Sequence, residues 1–581
     1  MRVRCLCVDS IWNEFMKKWR KIMGINKKQF KKLAYITALT GVVLASALAL
    51  SGCGSNNSGS KSSSSSDTVV IGTTDKIVTI DPAGSYDNGS FMVENNVYPF
   101  LYNFAYGSTT PEPDVADGAG EFSADGTEYT VKIKKGLKFA NGHDLTASDV
   151  AFSYQRVVTI GENGSDLGNG PSSLLSDMES VKATDDHTVV FKLKTANNVL
   201  WEQIMCTPAG PIVDEEVFAA DKLTPDADIV KEKAFAGPLV IDSYSINDSI
   251  SYSKNEDYDG IYGAAKSDSY QVKYYADASN MKLDIQNNTI DVAFRSLTAT
   301  DVADLEKNDK VKVYEGPGGE LRYMVFNFAI QPYGTATEDA DPAKALAVRK
   351  AVANVVDREE IAKNVYKNTY TPAYSFVPSS FDGFTPALKE AYGDGEGGPD
   401  VDKAKAALEA AGVKTPVEIN IQYNGDHYGS SSPDEYAAIK QQLEDSGLFK
   451  VSLAQTEWSV YAKDRVITDS SNGSYPVYQL GWFPDFSDAD NYLSPFFGEE
   501  SFVHNGYSSQ TVIDQINSEI SDTNHDSRIA KLETIQTTLA GDLPTIPLLE
   551  GKQIAVAGTD VKGVSDTLDA SFKFRYGAIS K

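Results

Sequence analysis

Cysteine is scarce in this 581-residue chain, which carries four: Cys5, Cys7, Cys53 and Cys206. The first three lie in or directly after an N-terminal leader, so Cys206 is the single thiol of the remaining sequence. That remainder therefore has no intramolecular disulfide and no multi-cysteine metal site. Because Cys206 ends an apolar stretch (residues 201–206), we expect it to be a buried packing residue.

Sequence signatures of catalysis are also lacking. The five histidines lie far apart, and none belongs to a His-Glu-x-x-His motif. The chain has no Gly-x-Ser-x-Gly nucleophile elbow and no phosphate-binding Gly-x-x-x-x-Gly-Lys-Ser/Thr loop. The acidic segment at 485–491 lacks the spacing and closing glutamate of a calcium loop. We therefore expect no enzymatic activity, no metal site and no cofactor.

Positive charge is in short supply, with 53 Lys and Arg against 81 Asp and Glu and a net charge of −28. Residues 1–52 hold ten of the basic residues and only two acidic ones, so the rest of the chain is more acidic still. Such acidity argues against binding to nucleic acid and against an electrostatic membrane patch. Any membrane contact must then come from another source.

The chain has one long apolar run, at 33–50, which follows four lysines and ends in small residues. This pattern is typical of a secretory signal peptide. Leu50-Ser51-Gly52-Cys53 resembles the lipobox of bacterial lipoproteins, which implies a diacylglyceryl group on Cys53 as the mature N-terminus. The alternative is a retained membrane helix, since 18 residues can just span a bilayer; Gly41 and the Ser and Thr residues of the run favour the signal peptide.

We thus expect residues 1–52 to be a leader and lipoprotein signal peptide, and 53–66 to be the lipid-anchored Cys53 with a Ser-rich linker. As a random coil this linker spans roughly 20 Å. The remainder is expected to lie at the extracytoplasmic face of the bacterial cell membrane, tethered by its lipid.

The rest of the chain alternates predicted strands and helices. Period-2 alternation predicts strands and helical spacing predicts helices, with Thr146 as the N-cap of one of them. This alternation indicates an α/β fold with mixed sheets. The remaining chain, about 515 residues, is longer than a single hydrophobic core usually accommodates, so two or three lobes are expected. The predicted strands are 68–72, 129–134, 188–193, 417–423, 451–455 and 477–480; the predicted helices are 147–156, 343–354, 358–366, 401–411 and 432–444.

Short motifs follow one another along the chain. The most specific is 481–493 (GWFPDFSDADNYL). The others are Ile80-Asp81-Pro82, the block 125–150 followed by Arg156, Gly237-Pro238, 255–258, Phe326-Asn327, 348–351, 356–358 and Val377-Pro378. Together they resemble the solute-binding proteins of ABC importers of the oligopeptide/dipeptide class (solute-binding family 5). The resemblance spans residues 69 to about 563.

The resemblance implies a fold: the two-lobed periplasmic-binding-protein-like fold (type II, large peptide-binding subclass), with an extra subdomain in the first lobe. The expected first lobe covers 67–295, with the subdomain inserted at about 99–205. The expected second lobe covers 296–529, and residues 530–581 return to the first lobe. Two such lobes close over a ligand about a hinge.

The resemblance also implies a site. Asp485 stands where peptide-binding members place the aspartate that pairs with the α-ammonium group of the peptide, and Trp482 and Phe483 precede it. The segment Ser85-Tyr86-Asp87 is expected near the peptide. The alternatives are a solvated loop aspartate or a turn cap at 485, core packing for Trp482 and an ordinary surface turn at 85–88.

Some family members hold the peptide carboxylate with an arginine, at positions that carry Gln479 and the loop from Asn424 to His427 here. Neither place has an arginine, so a fixed carboxylate clamp is in doubt. A protonated His427 is a partial substitute. The sequence thus predicts a monomeric, lipid-anchored protein that captures oligopeptides and delivers them to an ABC permease and its ATPase. The alternatives are the same role for an oligosaccharide, nickel chelate or other amine, or a secreted hydrolase or surface adhesin.

Overall fold

The computed structural model describes residues 68–168, 170–499 and 501–581. The predicted signal peptide, Cys53 and the linker lie outside these ranges. Within them, no helix is both long enough and apolar enough to cross a membrane.

Strands and helices alternate over the described chain. The strands are β1 (Thr68–Thr73), β2 (Tyr102–Phe104), β3 (Pro111–Pro113), β4 (Glu121–Phe122), β5 (Glu128–Lys132), β6 (Met178–Asp185), β7 (Thr188–Leu193), β8 (Leu239–Ser245), β9 (Ser249–Lys254), β10 (Ser269–Tyr274), β11 (Val292–Phe294), β12 (Val311–Phe326), β13 (Tyr370–Pro372), β14 (Val417–Tyr423), β15 (Phe449–Gln455), β16 (Val477–Trp482) and β17 (Thr545–Gly558). The helices are α1 (Asn88–Val97), α2 (Ala147–Glu162), α3 (Trp201–Met205), α4 (Asp226–Glu232), α5 (Ala278–Gln286), α6 (Ala299–Leu305), α7 (Pro342–Val355), α8 (Arg358–Asn364), α9 (Ala387–Ala391), α10 (Val401–Ala410), α11 (Ser432–Asp445), α12 (Trp458–Asp464), α13 (Ser494–Phe497), α14 (Gln510–Ile520) and α15 (His525–Asp542).

The eleven elements predicted from periodicity are confirmed, with shifts at their ends. The largest shift is in α2, which begins at its Thr146 capping box and continues to Glu162 because Val157 and Ile160 extend its buried face. Strand β16 runs on through Gly481 and Trp482, since both pair with β12. The signature motif at 481 therefore begins inside the sheet.

One mixed sheet of eleven strands runs through the molecule in the order β15-β14-β16-β12-β17-β11-β1-β10-β9-β8, with β13 paired to β17. The pairs of β1 with β10 and β11, and of β14 with β15 and β16, are parallel. The long strands β12 and β17 stand at its centre and pair with each other over most of their lengths. They join the two lobes.

The two long strands are closely packed where they pass from one lobe to the other. Their register shifts between Gly316 and Glu320. A Cβ atom at Gly318 would lie 1.6 Å from the carbonyl oxygen of Gly551 in the neighbouring strand, so only glycine fits there. The two strands therefore approach each other closely at this crossing.

Separate hydrophobic cores lie on the two sides of this crossing. One core contains Leu321 and much of 345–549, including Leu532, Ile535 and Leu539 of α15. Another contains β1, β8–β11 and 555–579, and a small one joins Leu305 to Val556. The lobe boundaries stay a prediction, and these cores favour a return to the first lobe near residue 550 rather than 530.

A further core belongs to the segment predicted as an inserted subdomain. The sheet β4-β5-β7-β6 packs with α2 around Tyr154, Phe191 and Trp201. Cys206 is buried in this core, as expected. Arg156 of α2 donates to both carboxylate oxygens of Asp81, at 2.7 and 2.6 Å, and both side chains are fully buried. Two family motifs that are far apart in sequence thus form one ion pair.

Candidate functional site

Two adjoining cavities lie between the lobes. The larger has a volume of about 630 Å³ and the smaller about 220 Å³, and both are lined by Asn88, Phe483 and Phe572. The larger is also lined by Arg295, Glu320, Tyr366, Tyr370, His427, Tyr428, Trp458, Trp482 and Phe502, and the smaller by Tyr86, Asp87, Phe91, Asn95, Phe104, Cys206, Asp485 and Lys573, among others. A concave site of this size, with mostly apolar walls and a few polar groups, is suited to a small organic ligand.

The loop that follows β16 carries Asp485 into the smaller cavity. The side-chain oxygen of Asn491 accepts hydrogen bonds from the backbone N–H of Asp485 at 2.8 Å and from Nε1 of Trp482 at 3.0 Å. One side chain therefore fixes both Asp485 and Trp482. Trp482 lines the larger cavity while its ring packs edge-on against Phe496, so it both contributes to the core and forms a wall.

The Asp485 carboxylate faces the first lobe. The Tyr86 hydroxyl donates a hydrogen bond to Oδ1 of Asp485, which joins residues 399 positions apart. Burial raises the pKa of Asp485, although the hydrogen bonds from Tyr86 and Asn491 act in the opposite direction. Burial makes the charged form of this carboxylate costly, so a cation brought next to it stabilises that form more than it would stabilise an exposed carboxylate.

The segment at 85–88 is held by bonds on the side of the first lobe. Ser85 is buried, its hydroxyl donates to Glu94, and it lines neither cavity. Asp87 accepts from the backbone N–H of Ser90 at 2.9 Å and caps α1, yet it also lines the smaller cavity. Of the three residues predicted here, Tyr86 therefore contacts both the smaller cavity and Asp485, whereas Ser85 stabilises the first lobe and does not face a cavity.

Asn424 and Gln479, two of the residues predicted around a carboxylate clamp, point into the protein interior. Asn424 is fully buried and accepts from the N–H of His427 at 2.7 Å, while its own N–H donates to Gln479 at 2.9 Å. Neither Asn424 nor Gln479 lines either cavity. They position the loop rather than face the space between the lobes.

His427 does line the larger cavity. Its ring stacks on Trp458 with centroids 3.8 Å apart and planes inclined by 7°. Burial lowers the pKa of His427, although the charge of Asp426 opposes this. The ring is therefore less readily protonated than an ordinary histidine, which disfavours the predicted role as a partial cation; it serves as part of an aromatic wall.

Arg295 and Lys573 are two cations that face the cavities and were missed from the sequence; a third, Lys552, is paired with Glu315. Arg295 lies over the ring of Phe483, 5.5 Å from its centroid, and lines the larger cavity. Lys573 lines the smaller one. Neither belongs to a motif that marks a binding residue, and no local signal distinguishes them from structural charges. Among the described residues, no group of three His, Cys, Asp or Glu side chains is arranged to hold a metal ion.

Comparison with known proteins agrees with this architecture. The dipeptide-binding protein DppE of Bacillus subtilis (strain 168) is 26% identical over 554 residues, covering 90% of this chain and 95% of DppE. The crystal structure of the ABC transporter substrate binding protein CtaP from Listeria monocytogenes matches with a TM-score of 0.73 and 22% identity, over 88% of this chain and 98% of CtaP. DppA from Helicobacter pylori, in complex with the peptide STSA, matches with a TM-score of 0.67 and 20% identity, over 88% of this chain and 98% of DppA.

These structural matches confirm the predicted two-lobed α/β fold. Residues 110–502, more than half of the chain, match the family described as bacterial extracellular solute-binding proteins, family 5 Middle. The chain therefore belongs to the family 5 bacterial extracellular solute-binding proteins.

Proposed function

We propose that this protein captures oligopeptides by closure of its two lobes and delivers them to the permease of an ABC importer. The observation that carries the proposal is the position of Asp485, whose carboxylate lies in a cavity between the lobes with a raised pKa. The relatives DppE and DppA are named for dipeptides or have a peptide bound, which supports a peptide as the ligand.

The α-ammonium group of the peptide binds to Asp485 in this proposal. A charge-assisted hydrogen bond from an ammonium to a carboxylate is stronger than a neutral one, and the apolar surroundings strengthen it further. The rings of Trp482, Phe483 and Trp458 line the adjoining cavity, where they provide apolar contact area for the peptide's side chains. Amine recognition therefore fixes one end of the ligand while the larger cavity accepts variable residues.

The arrangement of β12 and β17, which approach each other closely at Gly318 and Gly551, supports the proposed lobe closure. Glycine-rich backbone absorbs changes in φ and ψ at little cost. The hydrogen bond from Tyr86 to Asp485 spans the two lobes. A ligand that contacts both lobes favours the closed arrangement by its differential affinity for the two states.

Delivery to the importer needs no chemistry in this chain, so we propose a binding protein without catalytic activity. The sequence supports placement outside the cytoplasmic membrane, through a signal peptide and a lipid on Cys53. We propose that the protein works there as a monomer, with its permease and ATPase as partners.

The first test is mass spectrometry of the compounds that co-purify with the leaderless protein, released under denaturing conditions, together with calorimetry of synthetic dipeptides and tripeptides. A mixture of short peptides, and calorimetric binding that depends on a free amine, is the expected result. A single sugar, chelate or non-peptide amine in the extract, with no peptide binding by calorimetry, contradicts a peptide ligand and leaves a transport role for another solute.

A further inference from the structure

Lys573 is buried in the wall of the smaller cavity. It is 2% exposed, and within the described ranges it is the only lysine that is buried. Its Nζ lies 4.5 Å from the ring centroid of Phe100, 5.2 Å from that of Phe104 and 5.5 Å from that of Phe91. A charged ammonium enclosed by rings is stabilised in part by cation–π attraction, but it has lost most of its hydration.

The hydrogen bonding of this ammonium is incomplete. Nζ donates to Oδ1 of Asn103 at 2.6 Å, and no carboxylate of the described chain forms an ion pair with it. An ammonium group has three hydrogens to donate. By contrast, the buried Arg156 and Arg322 each pair with a buried carboxylate, from Asp81 and Glu435. A buried cation that lacks such a partner favours an anion brought in from outside the chain.

Asn95 lines the same cavity and is 1% exposed. Neither its side-chain oxygen nor its side-chain nitrogen has a hydrogen-bond partner among the described residues. A buried amide with no partner costs free energy unless something binds to it. This is a second, independent sign that the cavity wall is built to bind a polar group.

We propose that Lys573 and Asn95 bind a carboxylate of the ligand, while Asp485 binds its amino group. The inference rests on the proposed function and adds a second charged contact to it. A cavity of about 220 Å³ that holds an acid on one wall and a cation with an amide on another is complementary to a zwitterion. The first lobe therefore supplies the carboxylate contact that the second lobe lacks at Gln479 and Asn424.

The protonation of Lys573 agrees with this assignment. Loss of water around the buried ammonium lowers the pKa of Lys573 to about 7, and nearby Arg575 lowers it as well, while Cys206, Asp114 and Asp569 act in the opposite direction. A carboxylate bound beside Nζ raises that pKa again, because it favours the charged form. Ligand binding near neutral pH is then accompanied by proton uptake at Lys573.

The carboxylate has two sources in a peptide: the C-terminus of a dipeptide, or the side chain of an N-terminal Asp or Glu. Calorimetry with four probes separates them: dialanine, dialanine amide, glutamyl-alanine amide and glutaminyl-alanine amide. If the C-terminus is bound, we expect dialanine to bind about tenfold or more tightly than its amide. If the side chain is bound, glutamyl-alanine amide is expected to bind more tightly than glutaminyl-alanine amide by a similar factor.

In either case, the acid-to-amide ratio is the affinity of the probe with the carboxylate divided by the affinity of its amide partner. Lys573→Met is expected to bring this ratio close to one. Asn95→Asp does the same with almost no change of shape, because it places a carboxylate of the protein itself in the cavity. Lys440→Met removes a lysine that pairs with Glu444 and lines neither cavity, so this matched control keeps the ratio. Ratios near one in the unaltered protein, or a ratio that survives Lys573→Met, overturn the proposal.

A ratio that is lost in Arg295→Met but kept in Lys573→Met also overturns it, and assigns the carboxylate to the larger cavity. If none of the probes binds, the proposed function fails for dipeptides. Carboxylate binding at Lys573 is then tested by a measurement that needs no peptide. The ¹³Cε signal of Lys573, assigned by its loss in Lys573→Met, is followed against pH with and without acetate. A pKa raised by acetate supports the carboxylate site, and an unchanged pKa overturns it.

Discussion

Replacing Asp485 with asparagine removes one negative charge and the long hydrogen bond, 3.5 Å, that Oδ2 accepts from Asn491. The asparagine side chain has nearly the same shape, and its oxygen still accepts the hydrogen bond from Tyr86, so the contact between the lobes is kept. The backbone N–H of residue 485 still donates to Asn491. Any loss of binding in Asp485→Asn therefore reports the charge of the carboxylate rather than a displaced loop.

The magnitude follows from the type of contact. A hydrogen bond to a charged group contributes about 1.5–3 kcal/mol, and each 1.4 kcal/mol is a tenfold change in the dissociation constant. A peptide with a free α-ammonium is therefore expected to bind about ten- to a hundredfold more weakly to Asp485→Asn. Its N-acetylated form has no ammonium to lose and is expected to bind both proteins equally.

The assay is isothermal calorimetry of free and N-acetylated trialanine against both proteins. Asp277→Asn is the control, since it makes the same charge change at the N-cap of α5, where asparagine also caps. Equal losses for the free and acetylated peptides on Asp485→Asn refute the reasoning. So does a loss in Asp277→Asn as large as in Asp485→Asn, because the effect is then one of overall charge.

The same contact sets a pH dependence. The pKa of Asp485 is raised above 3.8 by burial, so its carboxylate is protonated as the pH falls through that raised value, while the ammonium stays charged. Affinity for the free-amine peptide is therefore full above the raised pKa and is lost below it. In Asp485→Asn this loss is absent, and a profile that is the same in both proteins contradicts the assignment.

Three further predictions concern the surroundings of the site and the anchor. Arg156→Met leaves the buried Asp81 carboxylate without its cation and is expected to lower the free energy of unfolding by about 3–5 kcal/mol in urea titrations; an unchanged midpoint contradicts a stabilising ion pair. Tyr86→Phe removes a hydrogen bond that lowers the pKa of Asp485, so the loss of peptide binding with falling pH begins at a higher pH, and an unshifted profile argues against that bond. Cys53→Ala is expected to move the full-length protein from the detergent phase to the aqueous phase in detergent partitioning, and continued partition into detergent contradicts the lipid anchor.

Much of the fold was predictable because its elements carry their own signals. Helix α2 has a capping box at Thr146 and an apolar face, and β14 alternates over its observed bounds, 417–423. The long strands β12 and β17 were missed. Their glycines and polar residues weaken any strand pattern, and their pairing with each other, rather than local propensity, sets their length.

The candidate site was predictable only where a motif marks it. Asp485 and Trp482 belong to the most specific motif of the chain, and both line a cavity between the lobes. Asn424 and Gln479 were placed by analogy with a carboxylate clamp, yet they hydrogen-bond to each other in the interior. Whether a polar side chain faces a cavity or a neighbouring loop depends on contacts that its sequence position does not contain.

The sequence by itself indicated the class of protein, through motifs that resemble a known family, and it determined eleven of the helices and strands, the burial of Cys206 and the place of Asp485 in the most specific motif. These follow from composition, local periodicity and ordered motifs, which act over a few residues at a time. Only the tertiary structure decided that Tyr86 meets Asp485 across 399 positions and that Lys573 meets Asn103 across 470. Such pairs form because the central sheet and the hydrophobic cores bring distant segments together, and burial then fixes the free-energy cost and the pKa of each charge.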